Sequence, residues 1–127
     1  MDWHDWALVA AGVIGSGVAA VHGVLVQRLL VRPIAALSAG ERTMRAPVRR
    51  LVPVLLHFST LAWFLGGVAL IWAAGWAGRE ARLTVCLFVG GFYLFAAAGN
   101  CWATRGRHPG WMLMAAALAL IVLGARP

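Results

Sequence analysis

A chain of 127 residues with 62% hydrophobic and only 12% charged residues is too apolar for a soluble domain of this size, since soluble domains are about half apolar and about a quarter charged. Its net charge of +7 comes entirely from arginine. The arginines lie between apolar runs, which is typical of a membrane protein and argues against a nucleic-acid partner. The composition therefore predicts that the lipid bilayer is the solvent for most of the surface.

Four segments are apolar enough for membrane spans, which need about 20 predominantly apolar residues each. They cover residues of about 6–31, 51–76, 82–104 and 109–125. Backbone groups in lipid must be satisfied internally, so each segment is predicted to be a helix, and short connections make neighbouring helices antiparallel. We therefore predict an all-α integral membrane protein, with residues 1–127 forming a single domain of four transmembrane helices in an antiparallel up-down bundle.

The first helix carries small residues at every fourth position, a pattern that allows close helix packing. These residues are Ala11, Gly15, Ala19 and Gly23. His22 comes seven residues after Gly15 and so returns to nearly the same face of the helix. The pattern predicts that His22 points into the bundle.

The longest connection, about residues 32–50, reads "RPIAALSAGERTMRAPVRR". Its prolines and glycine are expected to break helical continuity. Positively charged connections stay in the cytoplasm, so this loop is predicted to be cytoplasmic, with the N-terminus and the C-terminus outside. Anionic lipid is an expected partner of its arginines Arg42, Arg45, Arg49 and Arg50. The acidic N-terminus argues against a cleavable signal peptide.

Two histidines are the main functional signal. His22 lies about 13 Å before the end of the first span and His57 about 10 Å into the second, so antiparallel neighbours would place both at similar depth. Facing histidines would be able to hold haem b as axial ligands. The alternative is that each is a structural polar contact, with His22 bonding Ser59, Thr60 or a backbone carbonyl. No buried carboxylate is available for zinc or a di-iron centre.

A second polar group is expected at the same cytoplasmic face. Its residues are Gln27, Arg28, Asn100 and His108. They would cap helices and reach headgroups, or would join the histidines in a polar pocket for a quinone or a lipid headgroup.

The chain shows no catalytic constellation. No Asp or Glu falls inside a predicted span, which disfavours small exporters that couple proton flow through a membrane carboxylate. There is no nucleophile elbow, phosphate loop or HExxH motif. Cys86 and Cys101 form no CxxC motif. The sequence therefore does not predict an enzyme.

Residues 21–28, "VHGVLVQR", together with Pro33, His57 and "HPGW" at 108–111, resemble small four-span integral membrane proteins of proteobacteria. Those proteins often read "VHSVLGER" in the first span and carry a tryptophan before the second-span histidine. Val26 and Gln27 stand here in place of the glycine and the glutamate, and Leu56 stands in place of the tryptophan. The resemblance implies a four-span fold in a bacterial inner membrane and no mechanism.

Three functions are compatible with these observations. The first is an accessory or structural subunit of a larger inner-membrane complex, whose partners would be other membrane proteins. The second is a haem b electron-transfer protein with His22 and His57 as ligands. The third is a small permease or a lipid- or quinone-binding protein, which predicts a cavity that reaches His108.

Overall fold

The structure, a computed structural model, describes residues 1–40 and 45–125, with the side chains of 38–40 left aside. All regular elements in these ranges are helical. The helices are α1 (Trp3–Val26), a π-helical turn (Gln27–Val31), α2 (Arg32–Gly40), α3 (Ala46–Trp76), α4 (Arg79–Thr104) and α5 (Gly110–Gly124).

Three helical stretches are long and apolar enough to cross a membrane, as expected of a membrane protein. They are Trp3–Leu37, Ala46–Trp76 and Arg79–Thr104. The fourth apolar helix, α5, has 15 residues and is about 22 Å long. The chain is thus an all-helical membrane protein with three long apolar helices and a shorter one.

The predicted break after the first span is wrong for residues 32–40, since the helix continues through Pro33 to Gly40. Proline lacks an N–H, and its ring clashes with the carbonyl four residues earlier. The π-helical turn directly before Pro33 is wider than an α-helical turn, which gives the ring room. Residues 46–50 are also helical, because α3 begins at Ala46 with Pro47 in its first turn.

Contacts between neighbouring helices pair residues in opposite order along the chain. Between α1 and α3, Gly12 meets Gly67 and Gly23 meets Thr60. The helix α3 also packs on α4, α4 on α5, and α5 back on α1. The helices therefore surround a central core in which α1 lies between α3 and α5.

The core is closed by glycines that let α1 approach its neighbours. The backbone of Gly12 is so close to α3 that a Cβ there would lie 2.5 Å from the carbonyl oxygen of Gly67. Gly15 faces the ring of Tyr93 on α4, which is fully buried and donates its hydroxyl to the Trp63 carbonyl at 3.2 Å. The structure buries Ala11, Gly15 and Ala19 and leaves Gly23 half-buried. Without a hydrophobic drive between helices in lipid, such close contact supplies much of the attraction.

Large apolar side chains on the outer faces remain exposed. Phe95 on α4 is 79% exposed and Leu87 is 76% exposed. A soluble protein rarely exposes so many large apolar side chains together, whereas lipid solvates them well.

One end of the bundle is joined by polar side chains. Arg82, near the start of α4, forms an ion pair with Asp5 of α1 at 2.6 Å and donates to the carbonyl of Gly124 at 3.0 Å. His4 Nδ1 contacts the Leu123 carbonyl at 2.9 Å. Carbonyls at a helix C-terminus have no intrahelical partner, so Arg82 and His4 satisfy the end of α5 while tying it to α1 and α4.

We expect Gly15→Ala to lower the free energy of unfolding by about 1–3 kcal/mol, because the added methyl group overpacks the site against Tyr93. Gly17→Ala is the matched control, since a Cβ on Gly17 meets nothing within 4 Å. Unfolding of both variants in detergent, titrated with sodium dodecyl sulfate, measures the difference. Equal stability of the two variants would contradict the packing described here.

Arg82→Gln is expected to lower the midpoint of thermal unfolding in detergent. Glutamine cannot reach both the Asp5 carboxylate and the Gly124 carbonyl, so at least one is left unpaired. Arg79→Gln, at the exposed first residue of the same helix, removes the same charge without these contacts and should leave the midpoint nearly unchanged.

Candidate functional site: a cleft beside His22

His22 is held on one side by α3. Its ring lies against the ring of Trp63, with centroids 4.5 Å apart and planes at 47°. Its Nε2 is 3.3 Å from Ser59 Oγ, and the Ser59 hydroxyl donates to the Leu56 carbonyl at 3.3 Å. The bond to Ser59, one of the structural contacts predicted for His22, is therefore confirmed. Thr60, the other predicted side-chain partner, has a buried hydroxyl oxygen with no partner among the described residues.

His57 pairs with a different residue of α1. Its Nε2 lies 2.9 Å from Gln27 Oε1. Thr60 lies opposite Gly23 and Ser59 opposite His22 on these antiparallel helices, so His57 lies within about one helical turn of His22 along α1. The two histidines therefore have different hydrogen-bond partners.

Each histidine directs its Nε2 at a polar side chain of the opposite helix. A porphyrin held between the two rings through these atoms would have to replace the bonds to Ser59 and Gln27. No group of three or more His, Cys, Asp or Glu side chains that could hold a metal ion occurs in residues 1–40 and 45–125.

A cleft of about 360 Å³ opens beside His22. Apolar side chains and glycines of α1 and α5 form most of its wall, and Trp63 of α3 contributes an aromatic surface. The lining residues are Val13, Ile14, Gly17, Val18, Val21, His22, Leu25, Trp63, Asn100, His108, Pro109, Gly110 and Leu113. The volume lies in the range of small-molecule sites.

Three polar side chains line the cleft: His22 of α1, Asn100 of α4 and His108 of the α4–α5 turn. Asn100 lies in the last turns of α4, and His108 lies next to Pro109, the N-cap residue of α5. The cavity predicted to reach His108 is therefore present, and it also reaches His22.

The turn between α4 and α5 positions His108. The helix α4 ends with Arg105 in a left-handed conformation (φ 51°), followed by Gly106 (φ 74°). The turn is fixed by Thr104, whose hydroxyl oxygen accepts the backbone N–H of His108 at 3.4 Å, and by Trp111, which donates its indole N–H to the Gly106 carbonyl at 3.1 Å. His108 in turn accepts the N–H of Gly110 at its Nδ1, 3.1 Å away, and so caps the start of α5.

The cleft is accessible from the side of the bundle. Val13, Gly17 and Val21 recur every fourth residue on α1, line the cleft and are all exposed. The same exposed surface would face lipid in a membrane, so a molecule dissolved in the bilayer would reach the cleft without passing through water.

The predicted polar group is divided between two places. Asn100 and His108 belong to the cleft, whereas Gln27 and Arg28 line a separate groove with Arg32. Arg45, Arg49 and Arg50 are exposed at the start of α3, and Arg42 lies outside the described residues.

Sequence reasoning missed the residues that make the cleft a site. Trp63, which lines the cleft, was given no role from the sequence. Its position near the middle of α3 was the available signal, since tryptophans in membrane proteins prefer the interfaces.

Comparisons of the chain with protein-family models, with curated proteins and with solved structures give no match. The resemblance to four-span proteobacterial membrane proteins therefore stays a prediction.

A double-mutant cycle with Gln27→Leu and His57→Leu is expected to give a coupling energy of about 0.5–1.5 kcal/mol, typical of a hydrogen bond between membrane helices. The cycle uses unfolding free energies in detergent. The matched cycle of His57→Leu with Asn100→Leu should give a value near zero, because Asn100 lies in the cleft and His57 does not. Equal coupling in both cycles would exclude the specific pair.

Proposed function

We propose that this chain binds a lipid-like molecule, with an apolar body and a polar head, in the cleft beside His22. The observation that carries the proposal is a cleft of about 360 Å³ that joins apolar walls to His22, Asn100 and His108. Ligand sites are commonly mostly apolar with a few polar groups that fix orientation. An isoprenoid quinone or another membrane lipid has this distribution of polarity.

The position of the polar groups supports a defined orientation of the ligand. His22, Asn100 and His108 lie towards the end of the bundle that carries the α4–α5 turn, while Val13 and Gly17 lie about one to three turns farther from that end along α1. A head bound at the three polar residues would leave the apolar body along Val13, Gly17 and Leu113. Polar groups within membrane helices are costly, and a ligand that satisfies Asn100 and His108 offsets part of that cost.

The proposed setting is a bacterial inner membrane crossed four times. At 15 residues α5 is shorter than the roughly 30 Å hydrocarbon core, and local bilayer thinning would accommodate it. Contacts at both ends of α5 support a fourth crossing. The C-terminal end of α5 contacts His4 at the start of α1, and its N-terminal end lines the cleft with His22, so α5 runs alongside most of α1.

The charge distribution supports termini on the outside. Arginines crowd the end of the bundle that holds the first connection and the α4–α5 turn; in the described residues they are Arg28, Arg32, Arg45, Arg49, Arg50, Arg105 and Arg107. The opposite end carries the acidic residues Asp2, Asp5 and Glu80 beside Arg79 and Arg82. The positive-inside tendency then places the arginine-rich end in the cytoplasm, where these side chains would contact anionic lipid.

An accessory role in a larger membrane complex is a second proposal. A groove of about 240 Å³ between α4 and α5 is lined by Gly90 and Gly91, and Gly91 is exposed with nothing within 4 Å of its Cβ position. Small residues on an outer face allow a partner helix to pack closely. The two roles are compatible, because this groove does not share lining residues with the cleft.

The test of the cleft uses a glycine on its wall. Gly17→Leu places a side chain in the cleft without meeting the core, and we expect it to reduce binding of a short-chain alkyl hydroquinone about tenfold or more. Binding is measured by equilibrium dialysis of the detergent-solubilised protein under anaerobic conditions. Gly75→Leu is the control, since Gly75 is exposed on α3 and also has nothing within 4 Å.

Equal loss in both variants, or no saturable binding by the parent protein, would contradict the proposal. The same preparation tests haem b through an oxidised-minus-reduced visible spectrum. A haem band that disappears in a His22→Ala, His57→Ala double variant would favour the electron-transfer function instead.

A further inference from the structure

The hydrogen bonds around His22 favour one position for the proton of its neutral ring. The Ser59 hydroxyl has one hydrogen, and it is donated to the Leu56 carbonyl. Ser59 Oγ is therefore the acceptor in its contact with His22 Nε2, so Nε2 carries the proton. In the neutral ring Nδ1 is then an acceptor, and within the described residues it has no hydrogen-bond partner.

The same reasoning shows that the free ring nitrogen of His108 is a hydrogen-bond donor, whereas that of His22 is an acceptor. The Nδ1 of His108 accepts the backbone N–H of Gly110, so the proton of the neutral ring resides on Nε2. His108 thus offers an N–H donor, whereas His22 offers a lone pair. Asn100 carries both kinds of group in one amide.

We propose that the cleft prefers a head group that both donates and accepts hydrogen bonds, and therefore binds a hydroquinone more tightly than the corresponding quinone. This inference rests on the proposed function of the cleft. A hydroquinone hydroxyl donates to His22 Nδ1, and its oxygens accept from His108 Nε2 and Asn100. A quinone has carbonyl oxygens only, so it satisfies His108 but meets the lone pair of His22.

The preference is limited in size by the ease with which His22 changes tautomer. The Ser59 hydroxyl can turn from the Leu56 carbonyl to donate to His22 Nε2. The ring proton then resides on Nδ1, which can donate to a quinone carbonyl. This change gives up only the 3.3 Å bond from Ser59 to Leu56. One hydrogen bond of ordinary net strength corresponds to roughly three- to tenfold in affinity, and we expect the hydroquinone to bind about fivefold more tightly.

Ser59→Ala separates this mechanism from a merely structural role of the serine. Without Ser59 neither tautomer of His22 is favoured by α3, so the ratio of the two dissociation constants is expected to fall from about five towards one. Ser16→Ala is the matched control, because Ser16 on α1 also contacts α3, at the Phe64 carbonyl 3.5 Å away, and does not line the cleft. Its ratio should equal that of the parent protein.

The experiment is a competition for the cleft in detergent under anaerobic conditions. A labelled short-chain alkyl hydroquinone is displaced by the unlabelled hydroquinone, by the matching benzoquinone and by a monoacylglycerol. A hydroxylated glycerolipid offers the same donor and acceptor chemistry as a hydroquinone. Stronger displacement by the monoacylglycerol than by the hydroquinone would therefore identify the ligand class as a hydroxylated lipid.

The outcomes test the binding function, the hydroquinone preference and the role of the His22 tautomer separately. No binding that is sensitive to Gly17→Leu would overturn the proposed function itself. Binding that is sensitive to Gly17→Leu but equal for hydroquinone and benzoquinone would leave the cleft as a ligand site and overturn only the preference. A preference that persists unchanged in Ser59→Ala would overturn its assignment to the His22 tautomer.

Discussion

The close approach of α1 to its neighbours is the constraint on which the other features depend. Gly12 meets Gly67 of α3, and Gly15 meets Tyr93 of α4. Side chains larger than hydrogen at these two points would separate the helices and remove the contacts that hold a bundle together in lipid. The crossing also sets the register of α1 against α3, and the register decides which polar side chains of the two helices face each other.

The polar contacts follow from that register. Ser59 comes opposite His22 and Gln27 comes opposite His57, because both pairs lie on the same side of the Gly12–Gly67 crossing and in the same antiparallel order. Unpaired polar groups in a membrane interior are costly, so these pairs stabilise the packing that creates them. His22 belongs to both the α1–α3 interface, where it contacts Ser59, and the wall of the cleft.

The long apolar runs predicted four spans, because a run of that length has few alternatives, and three of them are helices long and apolar enough to cross a membrane. The extent of the first helix was not predictable from Pro33, since a single π-helical turn decides whether the helix ends there. The small residues of α1 suggested close packing, but the sequence does not show that Gly15 faces Tyr93. For the site, the residue types were visible while their partners were not. Estimating depth from the span ends placed His22 and His57 at similar depth, but it did not show that they bond different residues, Ser59 and Gln27.

The π-helical turn Gln27–Val31 divides the first helix into two parts with different rotational phase. An α-helix advances by about 100° per residue, and a turn that takes in one extra residue displaces everything beyond it around the axis by about that angle. Arg32 and the rest of α2 therefore face a direction offset by about 100° from the one an uninterrupted α-helix would give them. Removing one residue between Gln27 and Val31 would convert the turn to regular α-helix and rotate α2, while Gly12, Gly15 and His22, which precede the turn, keep their register against α3 and α4.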